Sequence, residues 1–277
     1  MSGGAEAKLD ELTRLLKGTG SVLVCYSGGI DSAVVLAVAH RVLGSQAIGM
    51  TAVSPSLPES ERQDAVRIAG EIGAEHRLVE SSELDRPGYV ANGPDRCFHC
   101  KSELYEIAEQ KRREWGLQSI VNGTNVDDLG DYRPGLEAAK LADVRSPFVE
   151  AGMTKSDVRE VAKLLGLGAW DKPAAACLSS RIPYGTSVTP ERLQQVGALE
   201  AELRALGFRR SRVRYHDKIA RIELDLEDLP RLLAPEIRQA VVEAGKTHGF
   251  TYITLDLAGY RTGSHNEVLQ GRSLRIV

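Results

Sequence analysis

The densest run of chemically capable residues is Ser27-Gly28-Gly29-Ile30-Asp31-Ser32, directly after the apolar stretch 21–26. Two glycines let the backbone come close to a ligand and turn consecutive N–H groups outward. A helix starting here adds partial positive charge, so the turn suits phosphate oxygens. It has neither the Gly-Lys-Ser/Thr ending of a Walker A loop nor a dinucleotide GxGxxG pattern. A glycine turn in which Asp31 or Ser32 only caps a helix is the plainer alternative, and the full run at a strand-to-helix junction weighs against it.

Thiols form the second set. Cys97-Phe98-His99-Cys100 opens a predicted helix, where the dipole and free N–H groups favour the thiolate. Cys177 lies far downstream in Pro173-Ala174-Ala175-Ala176-Cys177-Leu178-Ser179-Ser180-Arg181, so only folding can bring it near. Thiolates suit soft metals and iron–sulfur clusters, while a CxxC also reads as a redox pair or half a zinc site. Zinc would need a fourth ligand, and His99 would have to supply it awkwardly from inside the CxxC. A [4Fe–4S] cluster held by three cysteines instead leaves one iron open to an exogenous ligand such as sulfide. Cys25, inside SVLVCY, reads as a small buried hydrophobe.

Two further sets are charged. Asn122-Gly123-Thr124-Asn125-Val126-Asp127-Asp128 follows a predicted strand at the edge where open α/β sheets bind ligands. Asp128 is a candidate metal or ribose contact there, whereas Asp127 reads as part of a solvated acidic loop. Arg212, Arg214 and His216 share one face of a predicted strand, with Val213 and Tyr215 on the other. Guanidinium forks match phosphate oxygens, but a solvated face balanced by acids fits the pattern equally well.

The elements that must position these residues alternate. Strands are predicted at residues 21–26, 47–53, 76–79 and 119–122, and helices at 32–43, 59–72, 98–115 and 154–165. Thr154 and Asp157 form a capping-box pattern at the last of these. This rhythm predicts an α/β fold with a doubly wound parallel sheet. After Pro183 a helix follows Thr189-Pro190 and stops at Gly207. Strands are then predicted at 211–216 and 219–226, a helix at 229–248 and a strand at 252–257. The expected domains are residues 1–183, carrying the cysteines, and a smaller α/β domain over 184–277.

The composition, 42% hydrophobic and 26% charged, excludes wholesale disorder. A net charge of −3 excludes a global positive field, so nucleic acid is not an expected partner. No apolar run is long enough for a membrane span, the N-terminus has no signal-peptide core, and four cysteines are too few for a disulfide framework; a cytoplasmic protein with reduced thiols is expected.

SGGIDS resembles the PP-loop signature SGGxDS of enzymes that adenylate an oxygen atom with ATP and release pyrophosphate. That resemblance implies the HUP-like fold of the PP-loop ATP pyrophosphatases. Ser27, Gly28, Gly29 and Ser32 would hold the pyrophosphate portion, and Asp31 would help to place Mg²⁺. The chain further resembles the LarE family in Asp131-Tyr132-Arg133-Pro134-Gly135-Leu136, Ser179-Ser180-Arg181-Ile182-Pro183-Tyr184-Gly185, Arg212-Val213-Arg214-Tyr215-His216 and Ala220-Arg221-Ile222-Glu223-Leu224.

The family likeness spans residue 27 to about residue 260. It implies a homo-oligomer that makes the organic part of the nickel-pincer nucleotide cofactor. A carboxylate of pyridinium biscarboxylate mononucleotide is adenylated, and AMP is then replaced by sulfur to give a thiocarboxylate. Ala176 stands where one branch of the family has its sacrificial cysteine. Cys97, Cys100 and Cys177 instead resemble the branch that carries a [4Fe–4S] cluster, which implies cluster-bound sulfide renewed by an external donor. The resemblance tips Arg212 and Arg214 towards a mononucleotide-phosphate cradle and adds Asp131, Arg133, Glu200 and Glu223 as substrate or metal contacts. Arg181 is expected to neutralise charge developing on the acyl oxygen or on departing AMP. Two rival readings are a PP-loop tRNA thiolase with an iron–sulfur cluster and a non-catalytic metal-binding protein that senses ATP.

Overall fold

Helix α1 (Ser2–Lys17) leads into β1 (Val22–Cys25), α2 (Ile30–Leu43), β2 (Ala47–Val53), α3 (Glu59–Ile72) and β3 (Glu75–Glu80). A short α4 (Pro87–Val90) precedes the long α5 (Arg96–Glu114), β4 (Ser119–Val121), α6 (Pro134–Leu141), the one-turn α7 (Pro147–Glu150) and α8 (Lys155–Leu164). This computed structural model describes residues 2–130, 134–171 and 176–261. The chain divides into two compact units, residues 1–175 and 176–277.

In the first unit all pairings are parallel and the strand order is β3-β2-β1-β4. The central strand β1 alternates between two cores. Val22 and Val24 pack with α1, α2, α3 and α8, while Leu23 packs with Tyr105 and Ala108 of α5 and Ala138 and Ala139 of α6. Burial on both faces is why the strand is apolar throughout. The order also explains where the chemistry lies. From β1 the chain winds one way to β2 and β3, then returns to place β4 on the other side. The loops leaving β1 and β4 are therefore neighbours at a topological switch point, where open α/β sheets bind ligands. The expected parallel α/β fold is present.

The second unit holds α9 (Pro190–Ala205), β5 (Ser211–His216), β6 (Ile219–Leu224), α10 (Leu229–Leu232), α11 (Pro235–Thr247) and β7 (Tyr252–Leu255). Thr189 caps α9 by accepting the Arg192 N–H, with Pro190 in the first turn. β5 and β6 pair antiparallel about Asp217, which has φ 54°, and β7 joins β6 in parallel. The helix expected over 229–248 is two helices. Pro235 has no N–H for the Arg231 carbonyl and its ring would clash with it, so the chain breaks and restarts with Pro235 in the first turn of α11. The last strand stops at Leu255, and Asp256 turns the chain by accepting the Ala258 N–H.

Candidate active site

The loop after β1 is built for close approach. Gly28 has φ 72°, and a Cβ there would lie 2.8 Å from the Cα of Ala65, so only glycine fits. Ser32 Oγ accepts the Ser27 N–H at 3.1 Å and donates to the Gly29 carbonyl at 3.1 Å, closing the loop on itself. No side-chain hydrogen bond caps α2 at Gly29, and the acid in its first turn, Asp31, is turned towards Asn125 and Lys155. Gly123, after β4, lies so near that a Cβ would come within 2.8 Å of the Ser32 nitrogen.

Asn125, 2% exposed, ties this loop to the one after β4. Its Nδ2 donates to Asp31 Oδ1 at 3.4 Å, its N–H donates to Asp128 Oδ2 at 3.0 Å, and its Oδ1 accepts the Asp127 N–H at 3.0 Å. Asp31 Oδ2 is ion-paired with the ammonium of Lys155. Asp127, expected in a solvated acidic loop, is exposed, but it also has a structural part to play. Its Oδ2 accepts the Lys155 N–H at 2.8 Å at the start of α8. The Thr154–Asp157 capping box is present.

Cys97 and Cys100 fall in the first turns of α5, with Asp95 as its N-cap. Cys97 is exposed and Cys100 partly buried. At roughly 100° per residue they lie about 60° apart on one helix face, while His99 points about 160° away from Cys97. His99 Nε2 accordingly sits 3.1 Å from Asp95 Oδ2, and the ring lies against Gly88. His99 therefore faces Asp95 rather than the CxxC thiols. Cys25, on the face of β1 that meets the α5 core, has its thiol pushed up to about 12 by burial, against a smaller opposite pull from Lys101. Among the described residues no three His, Cys, Asp or Glu side chains are grouped to hold a metal ion.

Cys177 belongs to the second unit, exposed at the start of a short 3-10 turn, Leu178–Arg181. Arg181 is 2% exposed. Its Nε and Nη2 donate to the two carboxylate oxygens of Glu200 at 2.8 and 2.9 Å, and its Nη1 donates to the carbonyls of Ala176 and Cys177 at 2.9 and 3.1 Å. This buried guanidinium holds Glu200 and fixes the backbone that carries Cys177. Glu200 also accepts the Val213 N–H at 2.9 Å, which makes it an inward-facing link between α9 and β5.

On β5, Arg212, Arg214 and His216 do share a face, but they differ. Arg214 pairs with the fully buried Glu223 at 2.9 and 3.0 Å and donates to the Ser180 carbonyl at 2.9 Å. His216 has a lowered pKa, from burial first and then from Arg221 and Arg214, so it adds no cation near neutral pH. Arg212 has no carboxylate partner among the described residues. It donates to the Ser211 carbonyl and lies 5.4 Å over the Tyr260 ring, its charge disfavoured by burial and then by Arg181. Asp131 and Arg133 lie outside the described residues.

Residues 7–90 match the asparagine synthase family. Over 95% of this chain and 98% of the relative, the sequence is 45% identical to the uncharacterized protein slr1717 of Synechocystis. It is 38% identical to the pyridinium-3,5-bisthiocarboxylic acid mononucleotide synthase of Lactiplantibacillus plantarum, over 93% of each chain. The chain belongs to the LarE family.

Membership places this LarE chain among the PP-loop proteins, and a more distant likeness agrees: the tRNA-specific 2-thiouridylase MnmA of Rickettsia africae is 26% identical over 55% of this chain and 52% of its own length. Within the LarE chain, the fold brings Ser27, Gly28, Gly29, Asp31 and Ser32 together with Asp128 by way of Asn125. Sequence reasoning missed Lys155, because a lysine opening an amphipathic helix looks like a solvated surface residue. The one available signal was its place next to the Thr154 cap of a helix that follows the acidic loop.

Proposed function

We propose that this LarE chain is an ATP-dependent sulfurtransferase of nickel-pincer nucleotide biosynthesis, acting on pyridinium biscarboxylate mononucleotide. A carboxylate carbon resists nucleophiles because its charge repels them and oxide is a poor leaving group. Adenylation removes both obstacles: a carboxylate oxygen bonds to the α-phosphorus of ATP as the bond to pyrophosphate breaks. Sulfur then bonds to the acyl carbon, AMP leaves, and a thiocarboxylate results.

The first step needs positioning and charge stabilisation more than acid–base chemistry. Ser27, Gly28, Gly29 and Ser32 hold the departing pyrophosphate at the start of α2. Asp31, a hard carboxylate with a 28% exposed side chain, fits Mg²⁺ brought in with the nucleotide. Arg212, a guanidinium with no carboxylate partner among the described residues, is the side chain best suited to the mononucleotide phosphate, while Arg214 and Glu223 support it from below.

The donor chemistry of Cys97, Cys100 and Cys177, three thiols with two on one helix face, fits iron. These three would be the residues to hold a [4Fe–4S] cluster, which would supply the sulfur for the second step and would need an external donor to renew it. Arg181 and Glu200 hold the Cys177 backbone for that role. Family likeness supports a homo-oligomer. The net charge of −3 argues against a tRNA-thiolating reading, which calls for a broad basic surface.

The observation that carries this reading is the closed glycine loop at the switch point of a LarE-family chain. After anaerobic purification and iron and sulfide analysis, ATP and the mononucleotide are supplied. Wild-type protein should release pyrophosphate and form thiocarboxylate, and Cys97→Ala or Cys177→Ala should keep the first and lose the second. Equal sulfur transfer by those variants refutes the cluster role, and zinc in place of iron overturns the donor assignment.

A further inference from the structure

Tyr260 is carried to the start of β5 by the turn that follows β7. Its N–H donates to the Leu224 carbonyl at 2.7 Å, and Leu224 pairs with Ser211 in the β5–β6 ladder, so the ring reaches the residues on either side of Ser211. Gly259 makes this approach possible: it has φ 71°, and a Cβ there would lie 2.9 Å from the same carbonyl. The guanidiniums of Arg210 and Arg212 lie 5.6 and 5.4 Å from the centre of the Tyr260 ring, within the range over which an aromatic face attracts a cation.

Two like charges drawn to one ring repel each other, and neither is well neutralised. Arg212 has no ion-pair partner among the described residues. Arg210, 51% exposed, has Asp225 at 3.8 Å, too far for a hydrogen bond and open to solvent, so the pair adds little. Arg214, by contrast, is matched by Glu223 at 2.9 Å. The ring attracts both guanidiniums but carries no net charge, so it holds the cations without satisfying them. What satisfies them is an anion with about two charges and several oxygens. On a pyridinium biscarboxylate mononucleotide that group is the phosphate, since each carboxylate carries one charge and the cationic ring is repelled.

We propose that Arg210 is a second phosphate-binding residue of the mononucleotide site, beside Arg212, and that Tyr260 is the positioning residue that presents both guanidiniums. The proposal rests on the substrate reading above and adds two residues to it. It also gives the turn after β7 a purpose, since Gly259 and the Leu224 carbonyl fix the ring on which the two forks rest.

Calorimetric titration of the full chain with pyridinium biscarboxylate mononucleotide, at low and at raised NaCl, tests it, with ATP titrations and thermal melts in parallel. Arg210→Gln should bind the mononucleotide about tenfold more weakly and with a shallower dependence on NaCl, while its affinity for ATP is retained. Tyr260→Phe, which keeps the ring, should stay within about threefold of wild type, and Tyr260→Leu should lose about tenfold. Combining Tyr260→Leu with Arg210→Gln should cost less than the product of the two losses, because the ring acts through the arginine. Arg210→Gln with wild-type affinity and salt dependence would overturn the proposal, and this half-exposed position carries the test even where Tyr260→Leu does not fold. Losses that multiply in the double variant, or an equal loss of ATP and mononucleotide affinity with a lowered melting temperature, would reduce the ring contacts to structural packing and overturn it too. Wild-type protein that binds no mononucleotide would instead refute the substrate reading itself.

Discussion

Glu223 stands opposite Arg212 in the β5–β6 ladder, yet it takes both nitrogens of its bidentate pair from Arg214, one diagonal step along the same face. The exchange of partners gives the two arginines different roles. Arg214 and Glu223 are 9% and 0% exposed and neutralise one another's buried charge, with Arg221 a second cation 3.3 Å from Glu223. Arg212 has no ion-pair partner among the described residues.

Removing one partner of that buried pair should be far worse than removing both. Glu223→Ala should lower unfolding free energy by about 3–5 kcal/mol, because Arg214 is left buried beside empty space. Arg214→Met with Glu223→Leu should cost clearly less than Glu223→Ala alone. Urea denaturation of the three proteins decides it, and equal costs for the single and double variants would contradict the assignment.

Arg212→Ala should behave in the opposite way. With no carboxylate depending on it, the melting temperature should stay within about a degree or two of wild type, while mononucleotide binding weakens at least tenfold, the contribution of a charge-assisted hydrogen bond to phosphate. A thermal melt beside a binding titration separates the two readouts. Unchanged binding would remove Arg212 from the substrate site.

Gly28→Ala places a methyl group 2.8 Å from the Ala65 backbone at φ 72°. Strain of about 1–3 kcal/mol is expected even if the loop shifts to relieve the clash. The shifted loop should lose ATP affinity by at least tenfold while the circular dichroism spectrum is retained. Affinity equal to wild type would show that the loop does not need this glycine.

The cysteines should differ in reactivity in the order of their exposure. Cys25, with its thiol pushed up to about 12, carries almost no thiolate at pH 8, whereas Cys97 and Cys177 are exposed. Iodoacetamide on the metal-free protein should label Cys97 and Cys177 first and spare Cys25, as read by peptide mass spectrometry. The linkage has a definite sign. The folded value lies above that of an unfolded thiol, about 8.5, so Cys25 contributes its full stabilisation below that pH and loses it as pH climbs towards about 12. Cys25→Ala should flatten the alkaline arm of the stability profile.

The glycine loop, the parallel sheet and the CxxC at a helix start were legible because each depends on residues adjacent in sequence. β-branched runs set the strands, Thr154 with Asp157 set a helix start, and glycine at Gly28 answers a local backbone demand. The break at Pro235 was legible in the same way, since proline interrupts a helix wherever it falls in one, yet the apolar spacing on either side of it masked the stop.

Pairing of charges was another matter. Arg181, Arg212 and Arg214 look alike as residues in a sequence, and nothing local says that Glu200 and Glu223 claim two of them and leave the third. Lys155 meets Asp31 only because the order of strands brings the end of β1 beside the loop from β4. By itself the sequence determined the elements and the type of chemistry, since propensity, capping and periodicity act over a few residues. Tertiary structure alone decided which charges are buried and neutralised and which remain for a ligand, because burial and charge pairing depend on neighbours far away along the chain.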